Sequence, residues 1–250
     1  MGQTDREITQ KGYYVRPFQF KGIEVSPHAA AISELVLWIS FFQKHNQQYE
    51  AAIPATPLLE NFGQGNIECR DAILAWDLTD TADEDLRYLN ARRADPWPED
   101  VDYIVGNPPF IGSSRMRKAL GDTYVEGLRK VYPEVPGNAD YVLYWWHVAA
   151  EMTRAGKVKR FGFISTNSVR QKLGRQVLDY HMKAEPPLKL AFAVPDHPWV
   201  DGSASSIDTA NVRIAMTVGT METNLTGTLS EVILERPGKS VDGFLMVNYD

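Results

Sequence analysis

The chain has 250 residues, 44% of them apolar and 23% charged, and a formal net charge of −6. That is the balance of an ordinary soluble globular protein, long enough to bury about 70–75% of its unfolded surface in one large or two small domains. A single cysteine, Cys69, excludes an intrachain disulfide and a cysteine-rich zinc site and fits a reducing cytoplasm. Met1 to Lys11 is polar with no signal-peptide core, and no apolar run is long enough to span a bilayer, so no membrane role is expected. With this charge, any nucleic-acid contact needs a local basic patch or another domain.

In chain order, Phe18 to Val25 is apolar and β-rich and ends at Ser26-Pro27, a good N-cap followed by a good first helical residue. The helix predicted from there carries Ala30, Ile32, Leu35, Val36, Trp38, Ile39 and Phe42 on one wide apolar face. Gln43 to Asn61 is polar and interrupted by proline, which predicts a loop. Asn66 to Arg70 predicts a short strand closed by Asp71, and Asp77 to Asp100 a solvated connection with one helical turn around Asp83 to Leu89. Then come a strand at Asp102–Gly106, helices at Tyr124–Val131 and Ala139–Thr153, and a strand at Arg160–Thr166. A helix at Val169–Met182 and strands at Leu188–Val194 and Asn211–Val218 follow. Alternating strands and helices predict βαβ units in a three-layer α/β sandwich with a mostly parallel sheet. The last two strands are joined by a small-residue loop with no room for a crossover helix, so that pair is expected to be antiparallel. This is a Rossmann-like sheet with one antiparallel strand near the C-terminus.

The most informative segment is Val101-Asp102-Tyr103-Ile104-Val105-Gly106-Asn107-Pro108-Pro109-Phe110. An apolar strand delivers one amide, two prolines and one aromatic ring to the carboxyl end of a strand, where open α/β sheets bind ligands. The exocyclic nitrogen of adenine is a poor nucleophile because its lone pair is delocalised into the ring. Two acceptors against its two hydrogens favour a pyramidal nitrogen with that pair free. The Asn107 side-chain oxygen serves as one and the Pro108 carbonyl as the other. Consecutive prolines fix φ and remove competing N–H donors, and Phe110 offers a face for an extruded base. Asn-Pro-Pro alone is also simply a stiff turn; the strand before it and the ring after it favour chemistry.

Asp-Tyr-Ile-Val-Gly-Asn-Pro-Pro-Phe resembles the catalytic motif of S-adenosylmethionine-dependent adenine-N6 DNA methyltransferases. The likeness is greatest to the methylase portion of large restriction–modification proteins that fuse nuclease, methylase and target-recognition regions. It runs from about Phe20 to Val218 and also rests on Gly22–Ala30, Asn66–Ala72, Ala139–Trp146, Gly162–Ser168 and Val212–Thr217. The resemblance implies that Asn107, Pro108, Pro109 and Phe110 hold the target base. It further implies that Glu24 accepts the ribose hydroxyls of the cofactor, and that Asp71, with Ala72 beside it, meets the cofactor adenine. Locally, Glu24 and Asp71 also read as carboxylates at helix starts. Two basic groups, Arg115, Arg117 and Lys118 after the catalytic turn and Arg170, Lys172 and Arg175 after the next strand, are candidates for the phosphates of double-stranded DNA. Ser165-Thr166-Asn167-Ser168 can line the base pocket or cap the helix from Val169, with capping favoured; Asp140 can help orient the site or start a helix, with the helix start favoured; and the Tyr141, Tyr144, Trp145 stripe is expected to be core. His147, His181 and His197 lack metal-ligand spacing, and no metal is implied.

The resemblance implies a glycine-rich turn after a first strand, ahead of the Glu24 strand, and Met1 to Gln19 hold no such unit. The expectation is therefore a partial methyltransferase domain over residues 1–220 that lacks its first strand. Residues 221–250 would begin a following region. The partners expected are DNA, the missing N-terminal part and a target-recognition region. Two other readings stay open: a non-catalytic fragment that binds DNA or a partner chain, and a methyltransferase of RNA bases or protein glutamine. The chemistry also admits cytosine-N4; Phe110 and the likeness favour adenine.

Overall fold

A computed structural model describes residues 17–49, 65–77, 88, 90–98, 100–198, 213–230, 235–241 and 244–249. The chain divides into two compact units, Met1–Ala72 with Ala94–Pro98, and Ile73–Arg93 with Glu99–Asp250.

In the first unit a 3-10 turn at Pro17–Gln19 leads into β1 (Gly22–Glu24), helix α1 (Pro27–Tyr49) and β2 (Ile67–Cys69). β1 and β2 pair in parallel, with Glu24 opposite Cys69. The predicted cap is present: Ser26 Oγ accepts the Ala29 N–H at 3.3 Å, and Pro27 opens the helix. The helix does not stop at Phe42 but continues through Tyr49, a correction to the loop expected from Gln43. Gln, Lys and Asn are tolerated on a solvated helix, and the first proline comes only at Pro54. The rest of that expected loop, 50–61, and half of the connection expected at 77–100, including nearly all of its expected helical turn, lie outside the described residues. Among the α1 residues whose side chains are described, Ala30 alone is buried, whereas Ile32, Leu35, Val36 and Ile39 are 45–52% exposed.

The second unit opens with a short antiparallel pair absent from the sequence reading, β3 (Leu74–Ala75) with β4 (Arg92–Arg93). Then come β5 (Tyr103–Gly106), α2 (Ser113–Leu120), α3 (Asp122–Val131), α4 (Val142–Arg154), β6 (Arg160–Thr166), a 3-10 turn (Asn167–Arg170) and α5 (Lys172–Met182). β7 (Lys189–Pro198), β8 (Arg213–Thr220), β9 (Thr228–Leu229) and a final hairpin, β10 (Glu235–Val241) with β11 (Phe244–Tyr249), complete the described chain. The helix expected from Val169 is split because Gln171 is extended, with φ −74° and ψ 164°.

Five strands form one sheet in the order β5-β6-β8-β7-β9. β5–β6 and β7–β9 are parallel; β6–β8 and β7–β8 are antiparallel. The expected antiparallel relation of the two late strands holds. The expected mostly parallel sheet does not: β8 inserts between β6 and β7 instead of lying at the rim, so one reversed strand makes two antiparallel pairings and the sheet is mixed.

β6 alternates strictly, burying Phe161, Phe163 and Ser165, the period-two pattern of a strand with one covered face. Both rings lie across a glycine, Phe163 opposite Gly106 on β5 and Phe161 opposite Gly219 on β8. A methyl group at Gly219 would collide with the Phe161 ring. α4 supplies the other wall of the core with Val142, Leu143, Tyr144, Trp146, Ala149 and Ala150, all nearly or fully buried. Trp146 meets Phe161 edge to face at 5.2 Å and donates from Nε1 to Thr217 Oγ1 at 3.0 Å. The expected aromatic stripe is core at Tyr141 and Tyr144, while Trp145 is only half-buried. Burial pushes the Tyr144 hydroxyl up to about 12. His147, His181 and His197 are all buried, as structural histidines are; His147 Nδ1 and His181 Nε2 lie 2.9 Å apart between α4 and α5.

Candidate active site

The geometry starts at the end of β5. The register Gly106↔Phe163 puts Asn107 at the carboxyl edge of two parallel strands. Gly106 packs closely there: a Cβ would sit 3.0 Å from the Phe163 ring, tight enough to make that ring shift. Pro108 is buried and Pro109 exposed, Phe110 is half-buried, and Asn107 is exposed. Among the described residues none bonds the Asn107 amide. The turn therefore rests on packing at its base and presents an unengaged amide at its rim. Its exit is held by backbone bonds, Ile111 N–H to Pro109 O at 3.2 Å and Tyr141 N–H to Ile111 O at 2.9 Å.

Beyond the turn stands α2, which sequence periodicity missed because its eight residues carry only Met116 as a buried anchor. Arg115 and Lys118 lie on it, exposed and without an ion pair among the described residues; Lys172, at the start of α5, is likewise exposed. Two of the other candidate cations are engaged by neighbours. Arg117 bonds Asp122 at 2.9 Å and also Glu126, and Arg170 lies 3.3 Å from Asp196. Arg175 is exposed.

Two expectations at the end of β6 need correction. Neither Thr166 nor Ser168 makes a side-chain cap. Both hydroxyls turn to the carboxylate of Asp140, which caps not α4 but the start of α2, where it accepts the Ser113 N–H at 3.0 Å. Ser165 is buried and donates to Ala215 O at 3.3 Å, a structural bond across the sheet.

Glu24, Asp71 and Ala72 belong to the first unit. Glu24 ends β1, and one of its oxygens, Oε1, accepts the Ser26 N–H at 3.0 Å. Arg70 N–H donates to Glu24 O at 3.1 Å, so Asp71 follows β2 at the same carboxyl edge. Arg70 braces that edge through Glu68 at 2.5 Å, Asp95 O and Pro96 O at 3.1 Å each, while Trp97 Nε1 donates to Ala72 O at 2.7 Å. Both carboxylates are partly exposed. Two carboxylates at the ends of neighbouring parallel strands suit the hydroxyls and amino group of a nucleoside.

The sequence profile of the DNA-methyltransferase domain of MmeI matches residues 3–229. The chain belongs to this family. This bears out the resemblance to the methylase portion of restriction–modification proteins. DNA methyltransferase A of Bacillus subtilis (strain 168) is 30% identical over 166 residues, spanning 64% of this chain and 16% of the relative. A type IIL restriction–modification enzyme, MmeI, solved in complex with DNA, superimposes with a TM-score of 0.60 at 19% identity, over 96% of this chain and 28% of that one. The family chain described here thus spans under a third of either relative. Among its described residues no helix is long and apolar enough to cross a membrane, and no group of three or more His, Cys, Asp or Glu is placed to hold a metal.

Proposed function

We propose that this domain methylates the N6 amine of an adenine turned out of duplex DNA, with S-adenosylmethionine as donor, as the modification activity of a restriction–modification protein. One observation carries the reading: the Asn107 amide stands exposed and unbonded by any described residue at the carboxyl end of β5, on a turn whose base is buried at Pro108. S-adenosylmethionine supplies an electrophilic methyl group on a sulfonium sulfur. Asn107 Oδ1 accepts one N6 hydrogen and the Pro108 carbonyl the other, which frees the nitrogen lone pair for in-line attack. Both acceptors gain strength as positive charge develops on N6, and the extra proton of the methylated amine passes to water, since neither an amide nor a carbonyl oxygen is basic enough to keep it. Phe110, half-exposed, stacks on the base, and Pro109 holds the ring at its distance from Asn107.

Glu24 and Asp71 would hold the nucleoside of the cofactor: Glu24 through the oxygen left over from its bond to Ser26, Asp71 at the cofactor adenine with Ala72 beside it. Arg115, Lys118 and Lys172 are the cations best placed by exposure for DNA phosphates, with Arg117 and Arg170 tempered by their acidic neighbours.

The experiment is mass spectrometry of nucleosides from duplex DNA treated with the full-length polypeptide and labelled cofactor. Label in N6-methyladenine supports the proposal. Label confined to N4-methylcytosine, to RNA or to a protein glutamine assigns the turn to another amine and overturns it.

A further inference from the structure

Asp140 lies just ahead of α4, yet its carboxylate points away from that helix and joins two other parts of the sheet edge. Oδ1 accepts the Ser113 N–H at 3.0 Å, three residues beyond Phe110. Oδ2 meets the Thr166 hydroxyl at 3.0 Å and the Ser168 hydroxyl at 2.5 Å, at the end of β6. The two hydroxyl oxygens are also 2.5 Å apart. Two hydroxyls carry only two protons, so the three contacts cannot all be hydrogen bonds; in every arrangement at least one hydroxyl donates to Asp140. A carboxylate before a helix ordinarily satisfies that helix's first amides. This one satisfies the first amide of a different helix, α2, which leads out of the Asn107–Phe110 turn, and ties that start to the end of β6, next to the Tyr141–Ile111 backbone bond.

We infer that Asp140 is a positioning residue for the Asn107–Phe110 turn, acting through Ser113 and the Thr166–Ser168 hydroxyls; this rests on the amine-methylation reading above. The base of the turn is held by packing of Gly106 and Pro108 near Phe163. Its exit has no comparable packing, since Ile111, Gly112 and Ser113 are all only half-buried. A charge-assisted bond to the Ser113 amide supplies there what packing supplies at the base. It does so without occupying Asn107 or Phe110, which must stay free for the base. Displacement of such a turn by about 1 Å costs about 10²-fold in rate.

The test compares Asp140→Ala and Asp140→Asn in the full-length polypeptide. In Asp140→Ala, single-turnover methylation at saturating cofactor and DNA is expected to fall about 10²-fold. Cofactor affinity should hold within about twofold, because the tether lies on the turn and not on the nucleoside ligands. Asn keeps an acceptor for Ser113 and offers two donors to the hydroxyl oxygens, so it should restore most of the rate. Hydrogen exchange at the Ser113 amide should quicken about tenfold in Asp140→Ala but not in Asp140→Asn, with α4 amides unchanged. Turnover or Ser113 exchange unchanged in Asp140→Ala overturns the inference. So does equal loss of cofactor affinity and turnover without rescue by Asn, the mark of a merely structural carboxylate. If the Ala variant does not fold, Thr166→Val with Ser168→Ala cuts the β6 side alone. That variant should be about tenfold slower at unchanged cofactor affinity, and a wild-type rate there overturns the inference. If the wild-type protein methylates no amine, the functional reading fails, while the exchange comparison still decides whether Asp140 anchors the turn.

Discussion

The two carboxyl edges of this chain are built to different standards. The β5–β6 edge stands on a deep core in which Trp146, Phe161 and Tyr144 are fully buried, and its turn is anchored by packing on one side and by Asp140 on the other. The β1–β2 edge stands on two three-residue strands and a helix on which Ile32, Leu35, Val36 and Ile39 remain about half exposed. The difference follows the demands of the proposed chemistry. An attacking amine must be held to fractions of an ångström, whereas a nucleoside can be gripped by two carboxylates reaching into a looser setting.

That contrast can be broken most forcefully at Trp146. Trp146→Ala should cost about 3–5 kcal/mol by denaturant unfolding of the second unit, through the cavity and the orphaned Thr217 hydroxyl; a loss under about 1 kcal/mol would deny that the core carries the edge. Asn107→Ala should slow methylation by about 10²–10³-fold while cofactor affinity changes less than about twofold, if one preorganised polar contact behaves as in other polar sites; equal loss of both would remove the assigned division of labour. Glu24→Ala should do the reverse, weakening cofactor binding by roughly 10–100-fold by titration, with turnover at saturating cofactor largely kept.

The second unit should also show an acid-side weakness. Burial, then the neighbouring His147 and Arg154 charges, hold the His181 imidazole down at about 3, against 6.5 when unfolded. A depressed pKa means that the unfolded chain takes up the proton first. Stability is therefore complete above about pH 6.5 and is lost as the pH falls toward 3, with a slope approaching about 1.4 kcal/mol per pH unit for one proton. Unfolding midpoints across that window should flatten in His181→Leu; an unchanged slope would place the weakness elsewhere. At the small end, Leu35→Gln on α1 should shift stability by no more than about 0.5 kcal/mol, because Leu35 is 46% exposed.

Much of this was legible in the residues. Ser26-Pro27 announced the start of α1, Arg160–Thr166 the limits of β6, and Asn107–Phe110 the candidate chemistry, because caps, period-two alternation and proline chemistry act over a few residues. What escaped depended on partners far away in the chain. Helix α2 has too few buried residues to show a period, and the acceptor for its first amide comes from no neighbour in the chain but from Asp140, 27 residues beyond Ser113. β3 and β4 are two residues each, and exist only because Leu74–Ala75 and Arg92–Arg93 meet. Asp140 looked like a helix-start carboxylate because its sequence neighbours say so, whereas its bonding partners are 26 to 28 residues away.

By itself, then, the sequence determined the local pieces, namely which segments extend, which coil, and which turn carries an amide between an apolar strand and a ring. Only the tertiary structure decided that β8 slots between β6 and β7, which makes the sheet mixed, and that Arg117 and Arg170 are drawn off by acids. Only the tertiary structure decided, too, that one carboxylate fastens the turn. The physical reason is the same in each case. Dihedral preference and hydrophobic period are properties of neighbours along the chain, whereas strand order and charge pairing are settled by which distant groups folding brings within a few ångströms.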